Sequence, residues 1–217
     1  MVIILCKYSH NNPKTFIFVP VKDRKLLNRE LGRISAEEYR TTRPSSGVVL
    51  VLDNVRSAHN VGSAFRTSDA FGVDKVYLCG ICPVPPSPEL RKVALGAEEV
   101  VPSEHVDDTV ALVRSLQASG YTVVAVEQTV NSVKLDEYVR SRVHASEHFV
   151  CGEGCSPATD KKIALVFGNE VDGVQQSVVD ACDFSLEIPQ RGTKHSLNVS
   201  VSVGVVLWAL SQAADSH

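Results

Sequence analysis

The chain has 217 residues, a formal net charge of −3 and a hydrophobic share of 44%. That length holds one α/β domain with a small extension, and the apolar share suffices for one sizeable core. The mild acidity argues against a general polyanion binder, no apolar run nears the roughly 20 residues of a membrane span, and Val2 to Cys6 is too short for a signal segment, so a soluble cytoplasmic protein is expected.

Residues 1–43 carry nine Lys and Arg against four Asp and Glu, a net +5 that leaves −8 for the remainder. A basic extension over 1–46 either contacts phosphates or is a solvated helix surface. Within it, Leu26, Leu27, Leu31 and Ile34 form one stripe and predict a helix over 22–40. Arg43 to Gly47 has the composition of a linker.

A regular alternation follows. Strand 48–53 leads to a helix over about 61–71 closed by Gly72, with Asn60 as its cap, then strand 75–79. A proline-rich loop precedes a short helix over 89–95, strand 98–101, helix 106–119 and strand 121–126. Residues 141–161 are polar, rich in His, Cys and Gly, and predict an insertion loop. Strand 163–167, helix 174–181 and strand 184–188 complete a mostly parallel sheet flanked by helices. The tail stays open: Val199 to Val203 alternates like a strand, whereas the apolar stretch to Ala214 has the length of a buried helix.

Six cysteines lack a disulfide-scaffold spacing, and Cys79 and Cys182 sit in apolar surroundings as core thiols. His144, His148, Cys151 and Cys155 offer the ligand types of a small zinc site at non-standard spacing; a disordered insertion is the competing reading.

Three polar clusters open where apolar runs stop: Asn60-Val-Gly-Ser-Ala-Phe-Arg66, Gly168-Asn-Glu170, and Ile188-Pro189 leading to Ser196-Leu-Asn198. In an open α/β sheet, ligands gather at the carboxyl ends of strands. Amide, carboxylate, guanidinium and hydroxyl groups there suggest an active site. No Gly-x-Ser-x-Gly elbow, dinucleotide fingerprint or Walker loop is present.

Taken together, the clusters resemble the SpoU/TrmH-type RNA ribose 2′-O-methyltransferases of the SPOUT superfamily. The matching residues are Asn60, Gly62 and Arg66; Gly168, Asn169, Glu170 and Gly173; and Ile188, Pro189, Ser196, Leu197, Asn198 and Ser200. The resemblance covers about residues 47–213; Val171, Asp172 and Val203 depart from it, and none removes a functional group. It implies a methyltransferase domain over 47–217 with a C-terminal deep trefoil knot, in which 197–213 is helical. It also implies S-adenosylmethionine held by Gly168, Asn169, Ile188, Pro189 and Leu197 with Glu127 nearby, no metal, and a homodimer with sites at the interface. Methyl transfer to a ribose 2′-hydroxyl of tRNA or rRNA would use Arg66 to bind phosphate and stabilise the alkoxide, with proton acceptance open. Asn60 and Glu170 would orient Arg66, and Ser196 and Asn198 would fix substrate and loop. A non-catalytic RNA-binding protein of the same fold is the alternative, separated by whether the chain binds S-adenosylmethionine.

Overall fold

A computed structural model describes residues 2–4, 17–19, 24–27, 30–32, 34–42, 45–143, 162–194 and 196–214. Strands β1 (Val2–Ile4) and β2 (Ile17–Val19) pair antiparallel in a small sheet of their own. The helix expected over 22–40 is instead α1, confined to Ala36–Thr42. Before it, the Arg24 guanidinium donates to both Glu30 oxygens at 2.9 and 2.7 Å, and the Leu27 N–H donates to Glu30 at 2.7 Å, which closes a turn. Leu26, Leu27, Leu31 and Ile34 are all exposed. A short apolar stripe left exposed does not sustain a helix in water. The extension is tied to the body where the Ser46 and Gly47 N–H groups donate to Asp74 at 2.9 and 2.8 Å, and where the Tyr39 hydroxyl donates to the Asp69 carbonyl at 3.3 Å.

The body then runs β3 (Val48–Asp53), α2 (Ala58–Ala70), β4 (Lys75–Cys79), α3 (Pro88–Ala94), α4 (Ala97–Val100), β5 (Ser103–Val106), α5 (Thr109–Ala118) and β6 (Thr122–Val126). It continues through β7 (Val133–Lys134), α6 (Leu135–Val143), β8 (Ile163–Phe167), α7 (Gln176–Ala181), β9 (Phe184–Glu187) and α8 (Val199–Ala214). The seven strands lie in the order β5-β4-β3-β8-β6-β9-β7, and every neighbouring pair is parallel. The period of two sends alternate side chains to opposite faces. Leu50, Leu52, Leu165 and Phe167 meet buried residues of α2, α3, α6 and α8, while Val49, Val51, Ala164 and Val166 meet those of α5 and α7.

One expectation changes, and one left open is decided. Residues 98–101 belong to α4 and its cap rather than a strand; Leu95 ends α3 in the left-handed region at φ 54°, and the buried pair Ala97 and Val101 has the four-residue spacing of a helix. The following strand is β5. The tail resolves as α8, because Val203, Val206, Leu207 and Leu210 are buried in one stripe. Burying four such side chains stabilises by about 1.5–3 kcal/mol each, against a helix-propensity cost of up to ~0.7 kcal/mol for each β-branched residue. Burial wins. Helix α6 reaches Val143, three residues into the expected insertion loop; His144, His148, Cys151 and Cys155 lie outside the described residues.

Candidate active site

The carboxyl ends of β6, β8 and β9 open onto a cavity of about 300 Å³. Its walls are Glu127 and Gln128 after β6, the loop 168–173 after β8, Ile188 and Gln190 after β9, Ser196 and Leu197, and the first turn of α8 through Val199 and Ser202. The 168–173 loop is a tight hairpin. Asn169 and Gly173 exchange main-chain hydrogen bonds, both at 3.1 Å, and the Asn169 side-chain oxygen accepts the Val171 and Asp172 N–H groups, both at 2.8 Å. Gly173 has φ 69°, and a Cβ there would strike the Glu127 carboxylate. A Cβ at Gly168 would overlap the main chain of Gly173 and Val174. Only glycine fits either position.

Three carboxylates clamp this loop to three other parts of the fold. Glu127, at the end of β6, accepts the Val174 N–H at 3.0 Å and the Gln128 N–H at 2.8 Å. Asp53, at the end of β3, accepts the Gln175 N–H at 3.2 Å, the Thr109 hydroxyl at 2.7 Å and the Asn54 amide at 3.0 Å. Glu170 accepts the Arg56 and Ser57 N–H groups at 3.3 and 3.2 Å and the Asn60 amide at 2.7 Å. Partial burial pushes the Glu170 carboxyl up, but the Asn60 amide and main-chain donors outweigh it and hold its pKa below the ordinary value.

The start of α2 differs from expectation. Ser57 is its cap, accepting the Asn60 N–H at 3.3 Å, so Asn60 lies in the first turn with its side chain free for other work. That amide donates to Glu170 and accepts from the Asn198 amide at 3.1 Å, while the Asn198 oxygen accepts the Ser200 N–H at 2.9 Å and hydroxyl at 2.7 Å. One hydrogen-bonded chain thus joins all three polar clusters at the edge of the cavity. Arg66 is placed apart from it. Six residues along α2 carry it about 9 Å further on and onto a different face, where it is exposed and bonds to no described residue. Within one chain, Asn60 and Glu170 hold each other and the Asn198 segment rather than Arg66.

Of the residues singled out in the sequence, Glu127, Gly168, Asn169, Glu170, Ile188, Ser196 and Leu197 line the cavity; Asn60, Asn198, Arg66 and Pro189 do not. Sequence reading missed Asp53, whose signal was a carboxylate closing a fully apolar strand, and Asp172, Glu187, Gln190 and Ser202 on the cavity wall, which have no local signal. Among the described residues, the lining holds four carboxylates, Glu127, Glu170, Asp172 and Glu187, and no Lys, Arg or His. Such a cavity favours a ligand with positive charge.

A profile of the SpoU rRNA Methylase family matches residues 47–208, which contain every element of this site. The chain belongs to the SpoU family. It is 30% identical over 174 residues to the 23S rRNA (guanosine-2'-O-)-methyltransferase RlmB of Coxiella burnetii, an alignment covering 80% of this chain and 62% of that relative. The chain therefore spans less than two thirds of that relative's length. Among solved structures it is similar to the A. aeolicus TrmH/SpoU tRNA modifying enzyme, at 25% identity and a TM-score of 0.65, covering 83% of this chain and 82% of that one. It is also similar to an AdoMet-bound rRNA methyltransferase from Sinorhizobium meliloti, at 26% identity and a TM-score of 0.62, covering 80% and 59%. Across the SpoU fold the parallel α/β architecture is thus shared, and the cavity of this SpoU chain sits at its strand ends.

Proposed function

We propose that this SpoU-family chain transfers a methyl group from S-adenosylmethionine to a ribose 2′-hydroxyl of tRNA or rRNA in the cytoplasm. The observation that carries the reading is the Asn198–Asn60–Glu170 chain beside a cavity lined by four carboxylates and no described cation. The names of the RlmB relative and of the AdoMet-bound neighbour support the same reaction class. The cavity volume of about 300 Å³ lies at the lower end for small-ligand sites.

When bound, S-adenosylmethionine supplies an electrophilic methyl group on a cationic sulfur. Gly168, Asn169, Ile188, Ser196 and Leu197 would hold it, and the four carboxylates favour its charge. That attraction weakens once the charge is lost, so it favours donor over product without itself lowering the barrier. The chain's main contribution to rate is positioning the hydroxyl in line. Arg66 binds an adjacent phosphate and stabilises the developing alkoxide; a guanidinium keeps its proton, so the role is electrostatic and the hydroxyl proton leaves to solvent water. Because Arg66 lies away from its own chain's cavity, we assign it to the cavity of a second copy in a homodimer. The exposed Leu197, Val201 and Trp208, at 42, 50 and 58%, support such an interface at the mouth of the cavity. A trefoil knot after β9 belongs to the same proposal.

Arg66→Ala is expected to retain S-adenosylmethionine binding by calorimetry and to lower transfer of labelled methyl groups to RNA by about 10²-fold or more. Unimpaired turnover would refute the assignment.

A further inference from the structure

An acidic cavity that has to work on a polyanion raises the question of where the RNA backbone is held. Its described lining of four carboxylates and no cation repels phosphate. The segments that wall it differ in charge. Residues 127–132 and 168–175 contain acids and no Lys or Arg, whereas 188–198 contains Arg191 and Lys194. Gln190 and Ser196, on either side of this pair, both line the cavity. Residues 191–194, which follow Gln190, therefore form a lip at the mouth. Arg191 and Lys194 are exposed on it, and neither pairs with a described residue. Two cations paired with no described residue, on a body with a net −8 over residues 44–217, make a local contrast in potential.

We infer that the 190–194 lip is the phosphate-binding edge of the RNA site. Arg191 and Lys194 each take a backbone phosphate flanking the nucleotide whose ribose enters the cavity. The guanidinium offers a planar fork to phosphate oxygens and the ammonium a point charge. These contacts fix the strand's register and carry no base preference. The inference rests on the RNA methyl-transfer reading above, and it names the residues through which this chain meets its polyanionic substrate.

The test measures binding of a labelled, mixed-sequence single-stranded RNA oligonucleotide across a series of potassium chloride concentrations. Each phosphate contact on a single strand contributes about 0.7 to the slope of log K against log salt. The double substitution Arg191→Ala with Lys194→Ala is expected to reduce that slope by about 1.4, with wild-type and variant affinities converging at high salt. S-adenosylmethionine affinity should stay within twofold of wild type, which also shows that the variant folds. Arg114→Ala, on α5 across the sheet, removes one exposed cation elsewhere and should leave the slope alone. An unchanged slope in the double variant overturns the inference, as does an equal loss in Arg114→Ala or a parallel collapse of donor affinity. Methyl transfer by the wild-type protein is scored separately. Failure of the underlying reading appears as no transfer with a lip-dependent slope, and failure of the lip as transfer with a slope indifferent to it.

Discussion

Glu170 brings a negative charge to a point where the Arg56 and Ser57 N–H groups and the Asn60 amide already converge. Burial raises its pKa and those donors lower it, with a net lowering. A group whose folded pKa lies below its unfolded value, about 4.3 for glutamate, adds stability that is complete above that value. The contribution is lost as pH falls through the depressed folded pKa. Urea unfolding from about pH 7 to pH 3 should therefore show a decline in wild type that is shallower in Glu170→Gln. Superimposable profiles would show that the Glu170 clamp contributes nothing to the fold. The residues themselves were legible, since amides and a carboxylate at strand ends stand out against apolar runs. Their partners were not. Asn60 looked like a cap because it precedes Val61, yet Ser57 takes that role and sets the side chain of Asn60 toward residues more than 100 positions away.

At the scale of elements, the 168–175 segment behaves as one piece because two strands, β3 and β6, and the start of α2 hold it through carboxylates. Asp53 is the most deeply placed of these, fully buried, with three donors and no ion pair to a described residue. Leaving buried donors unpaired costs about 1–3 kcal/mol for each group. Asp53→Ala should destabilise the protein by about 2–4 kcal/mol in urea unfolding. Freed from β3, Gln175 lets the cavity wall shift, so S-adenosylmethionine affinity measured by calorimetry should fall as well, with Asp53→Asn intermediate in both. Lost stability with undiminished donor affinity would make Asp53 a packing residue only. The buried strands β3 and β8 could be read directly, because parallel strands covered on both faces are continuous apolar runs. Elements decided by tertiary burial against local preference, such as α4 and α8, could not. Nor could the clamps, which join positions tens of residues apart with no shared period.

For the whole molecule, the decisive feature is a helix with two apolar sides. Along α8, Val203, Val206, Leu207 and Leu210 face the core, while Val201 and Trp208 lie seven residues apart, two turns on one outward face. Trp208 is 58% exposed. Covering it removes enough apolar area to contribute about 3 kcal/mol per chain. Leu197, beside the start of the helix, is both exposed and part of the cavity wall, so whatever covers this face also closes the cavity mouth. In the proposed homodimer, a second copy seated there would supply the Arg66 that a single chain holds away from its cavity. Trp208→Glu sets a carboxylate in the middle of that contact without touching the core stripe. The variant is expected to keep the wild-type far-ultraviolet circular dichroism, to run as a monomer in light scattering, and to lose methyl transfer to RNA. Mixing it with Arg66→Ala chains should restore no activity, because the charged face prevents the mixed pair from forming. A variant that stays dimeric and active would remove this face from the interface and return Arg66 to its own chain, where its distance from the cavity would then exclude it from the reaction.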